Sequence, residues 1–117
     1  MLPAANRMRR GEDFTATTRG GRRARTGTLV LHHLPPTSPD DAPPALVGFV
    51  VGKAVGNAVV RHRVQRRLRA QTTPLLPGFA PGSRTVVRAL PPAATATSVA
   101  LSNDLRSAGR KLERAGR

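Results

Sequence analysis

Apolar residues along this chain fall into short runs, some with strand alternation and some with helical spacing. From Thr28 to Leu34 the run Thr-Leu-Val-Leu-His-His-Leu is β-branched and apolar enough to form a strand. Alternation directs Leu29, Leu31 and His33 to one face and Val30, His32 and Leu34 to the other. Ala45–Val51 is continuously apolar, as expected of a second strand covered on both faces. A third strand is expected at Arg84–Leu90, ended by Pro91-Pro92. Helices flank these strands. A short one is expected near Phe14, with Asp13 as its cap and Gly20-Gly21 as its end. Asn57 suits the cap of a second, in which Val60, Val64 and Leu68 share one stripe and which Pro74 stops. A third should start near Thr97 or Ser98 and bury Leu101, Leu105, Ala108 and Leu112.

Two segments interrupt these elements. Residues 35–45 hold five prolines and Asp40-Asp41, and residues 74–83 hold three prolines and two glycines. Both read as loops. Because the 35–45 loop joins the first two strands directly, those strands are expected to pair antiparallel. Arg22-Arg23-Ala24-Arg25 leaves open whether two or three strands precede the second helix. The resulting order is helix, two or three strands, helix, strand, helix, an α+β sandwich of one sheet and its helices. At 117 residues the chain is expected to be a single domain over residues 1–117. Residues 1–7 stay open between a helix and a tail that orders on binding.

Composition narrows the function. The apolar fraction of 38% is low against the usual value of about 45–50%, and the three aromatics are Phe14, Phe49 and Phe79. With no cysteine there is neither a disulfide frame nor a thiolate metal site. A net charge of +14 opposes compaction by self-repulsion and favours a polyanion as partner. No apolar run approaches the roughly 20 residues of a membrane span. Met1–Arg7 lacks the apolar core of a secretory signal, so a cytoplasmic protein without a membrane partner is expected.

The charge is densest at Lys53–Arg69, where five arginines and a histidine share one expected helix with no acidic residue. No i,i+4 partner relieves their repulsion, which points to phosphate rather than to a merely solvated face. Gly48-x3-Gly52-Lys53 is not a phosphate-binding P-loop. That motif needs four residues between the glycines and Ser or Thr after the lysine, where Ala54 stands. Nor is autonomous catalysis expected. His32 and His33 face opposite ways on a strand, and none of the six carboxylates neighbours a histidine in sequence. Charge alone does not choose between RNA and DNA, and a small basic ribosomal protein would share it. Nothing marks a groove-reading DNA motif, so no DNA partner is expected.

Lys53-x-Val55-Gly56-Asn57-Ala58-Val59-Val60-Arg61-His62-Arg63-Val64-Gln65-Arg66-Arg67-Leu68-Arg69 resembles the signature of the bacterial ribonuclease P protein subunit. Leu2-Pro3, Asn6–Arg10, Asp13-Phe14, Gly20, the strand through His32 and Val47–Val51 fall where that family has its own elements. The resemblance implies an α-β-β-β-α-β-α sandwich like the second domain of ribosomal protein S5. Its crossover is left-handed, against the usual rule. It also implies that the chain joins a catalytic RNA and helps remove the 5′ leader of precursor tRNA, with Mg²⁺ bound mainly by the RNA. Carried over by position, Lys53, Arg61, His62, Arg63, Arg66, Arg67 and Arg69 would contact RNA. Phe14, Thr18, Val30 and His32 would line a cleft for the leader. No residue is assigned to catalysis or to a metal. His62 and Gln65 stand where the family usually has Asn and Lys, and Thr18 and His32 stand at frequently aromatic places.

Overall fold

The structure is a computed structural model that describes residues 2–37 and 42–115. The elements run α1 (Gly11–Gly20), β1 (Arg22–Arg25), β2 (Leu29–Leu34), β3 (Leu46–Val50), α2 (Ala58–Thr72), β4 (Arg84–Ala89) and α3 (Ser98–Ala115). This is the α-β-β-β-α-β-α order expected, with Arg22–Arg25 forming a strand. Short 3-10 turns lie at Ala4–Asn6, Thr73–Gly78 and Pro91–Ala94. The second of these carries the chain away from α2 through a stretch expected to be a plain loop. Of the proline-rich 35–45 segment, residues 38–41 lie outside the described residues.

The sheet order is β1-β2-β4-β3. β1 and β4 flank β2 antiparallel, while β3 runs parallel to β4. The expected β2–β3 pair therefore does not form, because β4 is inserted between them. The 35–45 connection has only to span two strand spacings, about 10 Å, which is short for a segment of its length. The central strand is also better covered. Thr85, Val86 and Val87 of β4 are all at most 1% exposed.

One sheet face carries Ala24, Leu29, Leu31, Val47, Val87 and Ala89. They pack with Val64 and Leu68 of α2 and with the α3 stripe Leu101, Leu105, Ala108 and Leu112. The other face carries Val30, His32, Gly48 and Val86 and is partly covered by α1, whose Thr17 is fully buried. Residues 2–8 do not hang free. Leu2 is 1% exposed and belongs to the main core. The Asn6 side-chain amide donates to the Ala45 carbonyl at 2.9 Å, and the Met8 amide donates to the Val47 carbonyl at 3.0 Å. This segment covers the outer edge of β3, which would otherwise present unpaired backbone groups.

Two caps fall where the sequence placed them. Asn57 Oδ1 accepts the Val60 amide and Thr97 Oγ1 accepts the Ala100 amide, each at 3.0 Å. Asp13 does not cap α1, which begins at Gly11 behind Arg10 with no side-chain cap. Instead Asp13 lies in the first turn and pairs with Arg84 of β4 at 3.1 Å, tying α1 to the sheet. No described helix is long and apolar enough to cross a membrane.

Asp104 of α3 joins the helix layer to the β1–β2 turn. Its Oδ2 accepts the Thr28 amide at 3.0 Å and the Thr28 hydroxyl at 2.5 Å. Asp104→Ala strips both donors of their acceptor. It should lower unfolding free energy in urea by about 1–3 kcal/mol, and an unchanged midpoint would show that the turn stands without it.

Candidate RNA interface

α2 must bury one stripe and display the rest. Val64, Leu68 and Thr72 are buried and Val60 is half-buried. Gly56 lets the chain enter the helix closely, since a Cβ there would sit 2.8 Å from Val60 Cγ1. His62, Arg63 and Arg66 are exposed, with Val59 among them 73% exposed. Arg61, Arg67 and Arg69 are half-buried at the flanks. Arg67 is partly committed to the fold, because its Nη1 donates to the Ala96 carbonyl at 3.1 Å. Arg61 Nε is buried without a partner among the described residues. Lys53 is exposed in the turn before the helix, where its carbonyl accepts the Gly56 amide. Helix α2 contains no acid, so this arc is uncompensated positive charge.

A second cationic surface lies on the sheet face beside α1. Phe14 is half-buried and its ring rests on Gly48, where a Cβ would come within 2.5 Å of Cε1 and Cζ. Only glycine allows that approach. Thr18 is half-buried, and its hydroxyl is turned back to the Phe14 carbonyl at 2.9 Å. Val30 and His32 are each 8% exposed, and His32 Nδ1 has no partner among the described residues. The strand register brings further residues to this face. Arg23 lies opposite His32, Arg25 opposite Val30, and Arg88 is flanked by Val30 and Val50. Arg23, Arg25 and Arg88 are exposed. They went unassigned from sequence, although strand alternation alone would have aligned Arg23 with Arg25 and Arg84 with Arg88.

The surface is thus an apolar strip, Val30 and Val50, bordered by three guanidiniums, with a buried imidazole in its floor. Burial, and then Arg88 and Arg23, hold His32 below its ordinary value of 6.5. His33, on the opposite face, bonds through Nδ1 to Thr85 Oγ1 at 2.9 Å and is lowered by burial and by Arg22.

The family model described as Ribonuclease P matches residues 2–113. The chain belongs to the ribonuclease P protein family. The ribonuclease P protein component of Beutenbergia cavernae is 53% identical to it over 105 residues, covering 90% of this chain and 86% of the relative. That of Streptomyces bikiniensis is 48% identical over 117 residues, covering 96% and 95%. A solved Staphylococcus aureus RNase P protein shares the fold with a TM-score of 0.75 at 22% identity, covering 91% of this chain and 94% of that one.

The acids that could hold a metal ion are scattered among the described residues, and two of them are engaged within the fold. No group of three potential ligands occurs among the described residues. Asp13 is taken by Arg84 and Asp104 by Thr28.

The two lowered histidines have a measurable consequence. As pH falls through 6.5 the unfolded chain takes up protons that the folded chain refuses, so the folded state loses ground. Stability is complete above that value and declines as pH drops towards the lowered folded-state values. Urea midpoints should fall between about pH 7 and about pH 5, and the His32→Gln, His33→Gln double variant should flatten that decline. A decline that the double variant leaves untouched would assign it to other groups.

Proposed function

We propose that this chain is the protein subunit of ribonuclease P. It binds the catalytic RNA and the 5′ leader of precursor tRNA and assists Mg²⁺-dependent removal of that leader. The observation that carries this reading is the presence of two separate cationic surfaces on one small fold. An acid-free helix and an arginine-bordered sheet face suit two RNA segments held together.

On this reading the exposed arc of His62, Arg63 and Arg66, with Lys53 at its entrance, meets the catalytic RNA and the substrate close to the cleavage point. Arg61, Arg67 and Arg69 support it from the flanks. Each guanidinium near a phosphate gains from about 1 kcal/mol in bulk water to about 4 kcal/mol in a partly desolvated contact. Their sum screens the repulsion between two RNA backbones. Arg23, Arg25 and Arg88 hold leader phosphates along the sheet, and Val30 and Phe14 offer apolar contact to the bases. Because Thr18 has spent its hydroxyl on α1 and carries no ring, charge takes over what stacking would otherwise supply. The endonucleolytic chemistry and its Mg²⁺ belong to the RNA, and no residue here acts as its acid or base.

Reconstitution with a bacterial catalytic RNA tests this. The chain should raise cleavage at low Mg²⁺ and bind precursor tRNA more tightly than mature tRNA. RNA binding without either effect would fit a structural protein of the ribosomal kind and end the proposal. Arg25→Ala and Arg88→Ala should each shrink the preference for precursor over mature tRNA. Each should also reduce the log–log salt slope of leader binding by about 0.7 for every phosphate left without its guanidinium. Unchanged slopes in both would place the leader elsewhere.

A further inference from the structure

On the sheet face opposite the proposed leader surface, α3 and the Thr73–Gly78 turn leave a groove between them. It consists of two adjoining hollows of about 440 Å³ and about 280 Å³ that share Leu31, Phe79, Gly109 and Glu113. The larger lies in the range of small-ligand pockets. Phe79 is half-buried, and its ring centroid lies 6.4 Å from that of His33, with the planes inclined by 36°. Arg22 stands on the larger hollow, and Arg106 and Arg110 stand on the smaller. All three arginines are exposed, and none is in an ion pair among the described residues. Among the described residues, Glu113 is the single acid lining either hollow.

Gly109 is the informative residue. A glycine inside a helix is less stable than alanine there, and packing usually explains its presence. Here no heavy atom beyond its chain neighbours and its own helix backbone lies within 4 Å of a Cβ built on Gly109, so packing against the rest of the fold does not require glycine. Gly109 does line both hollows, and any side chain there would narrow the groove. Glycine commonly stands where a ligand approaches the backbone closely.

We propose that this groove is a nucleotide-binding subsite for one unpaired RNA nucleotide, with its base against Phe79 beside His33 and flanking phosphates on Arg22 and on Arg106 and Arg110. Aromatic rings combined with a cationic rim are how single strands are held without sequence preference. A docked apolar helix fits less well. Leu31 and Leu105, at the floor, are only 3% and 4% exposed, and the three exposed arginines around the groove suit phosphate rather than an apolar face.

NMR titration of the full chain with adenosine 5′-monophosphate, and separately with inorganic phosphate, is the test. The nucleotide should shift Gly109, Phe79 and His33 in a saturable way, and phosphate alone should not reproduce the shifts. Gly109→Leu should weaken this binding at least tenfold and Gly109→Ala less, while nucleotide-induced shifts along α2 persist. Arg110→Glu, an exposed change, should weaken it as well and carries the test if the leucine variant does not fold. Identical shifts from phosphate alone would reduce the site to an adventitious ion only. Undiminished binding by both Gly109→Leu and Arg110→Glu, or shifts confined to α2 and the leader face, would also overturn the proposal. Because the groove is across the sheet from Arg25 and Arg88, Gly109→Leu should leave the precursor-over-mature preference in place. The two readings can therefore fail separately.

Discussion

The insertion of β4 between β2 and β3 is the constraint on which the rest of this molecule depends. A strand hydrogen-bonded on both edges and covered on both faces must bury apolar or paired side chains, and Val86, Val87 and Thr85, whose hydroxyl is bonded to His33, meet that demand. Its parallel pairing with β3 cannot be made by a hairpin and requires a crossover. That crossover is α2, so the arginine helix sits where it does because the sheet needs a connection there. Alternation along the same strand sends Val87 and Ala89 into the main core. It sends Arg84 and Arg88 to the opposite face, where Arg84 holds α1 through Asp13 and Arg88 borders Val30.

Charge is distributed with a similar economy. Twenty lysines and arginines face only six acids in the sequence. Two of those acids are consumed internally, Asp13 on Arg84 and Asp104 on Thr28, where each ties a helix to the sheet layer. Neither is available to neutralise α2 or the Arg23, Arg25 and Arg88 guanidiniums of the open sheet face. The self-repulsion that results works against a small aliphatic core. Bound phosphate would relieve it, so RNA binding and conformational stability are linked in this chain.

Local features were legible in the sequence. The Asn57 and Thr97 caps, the Val64–Leu68 stripe, the α3 stripe and the opposed faces of His32 and His33 follow from short-range rules and hold in the structure. What could not be read was non-local. Strand order depends on which partner wins the edge of β2, and the direct 35–45 connection favoured the wrong one. Asp13 looked like a cap because its partner lies 71 residues away. Docking of Leu2 into the core was hidden in the same way. Arg23, Arg25 and Arg88 were visible as charges, but only the register shows that they share one face. Membership of the family was legible in the Lys53–Arg69 spacing, whereas the α3 groove left no mark in sequence except Gly109.

Two cationic surfaces with different RNA partners are the heart of this reading, and the lack of cysteine makes them separately addressable. Single variants Val59→Cys and Thr18→Cys, each carrying a tethered iron chelate, can be assembled with a bacterial catalytic RNA and a leader-bearing precursor tRNA. Hydroxyl radicals released from position 59 should cut the catalytic RNA, and those from position 18 should cut the 5′ leader. The same cleavage pattern from both positions, or no leader cleavage from position 18, would contradict the assignment of the two surfaces.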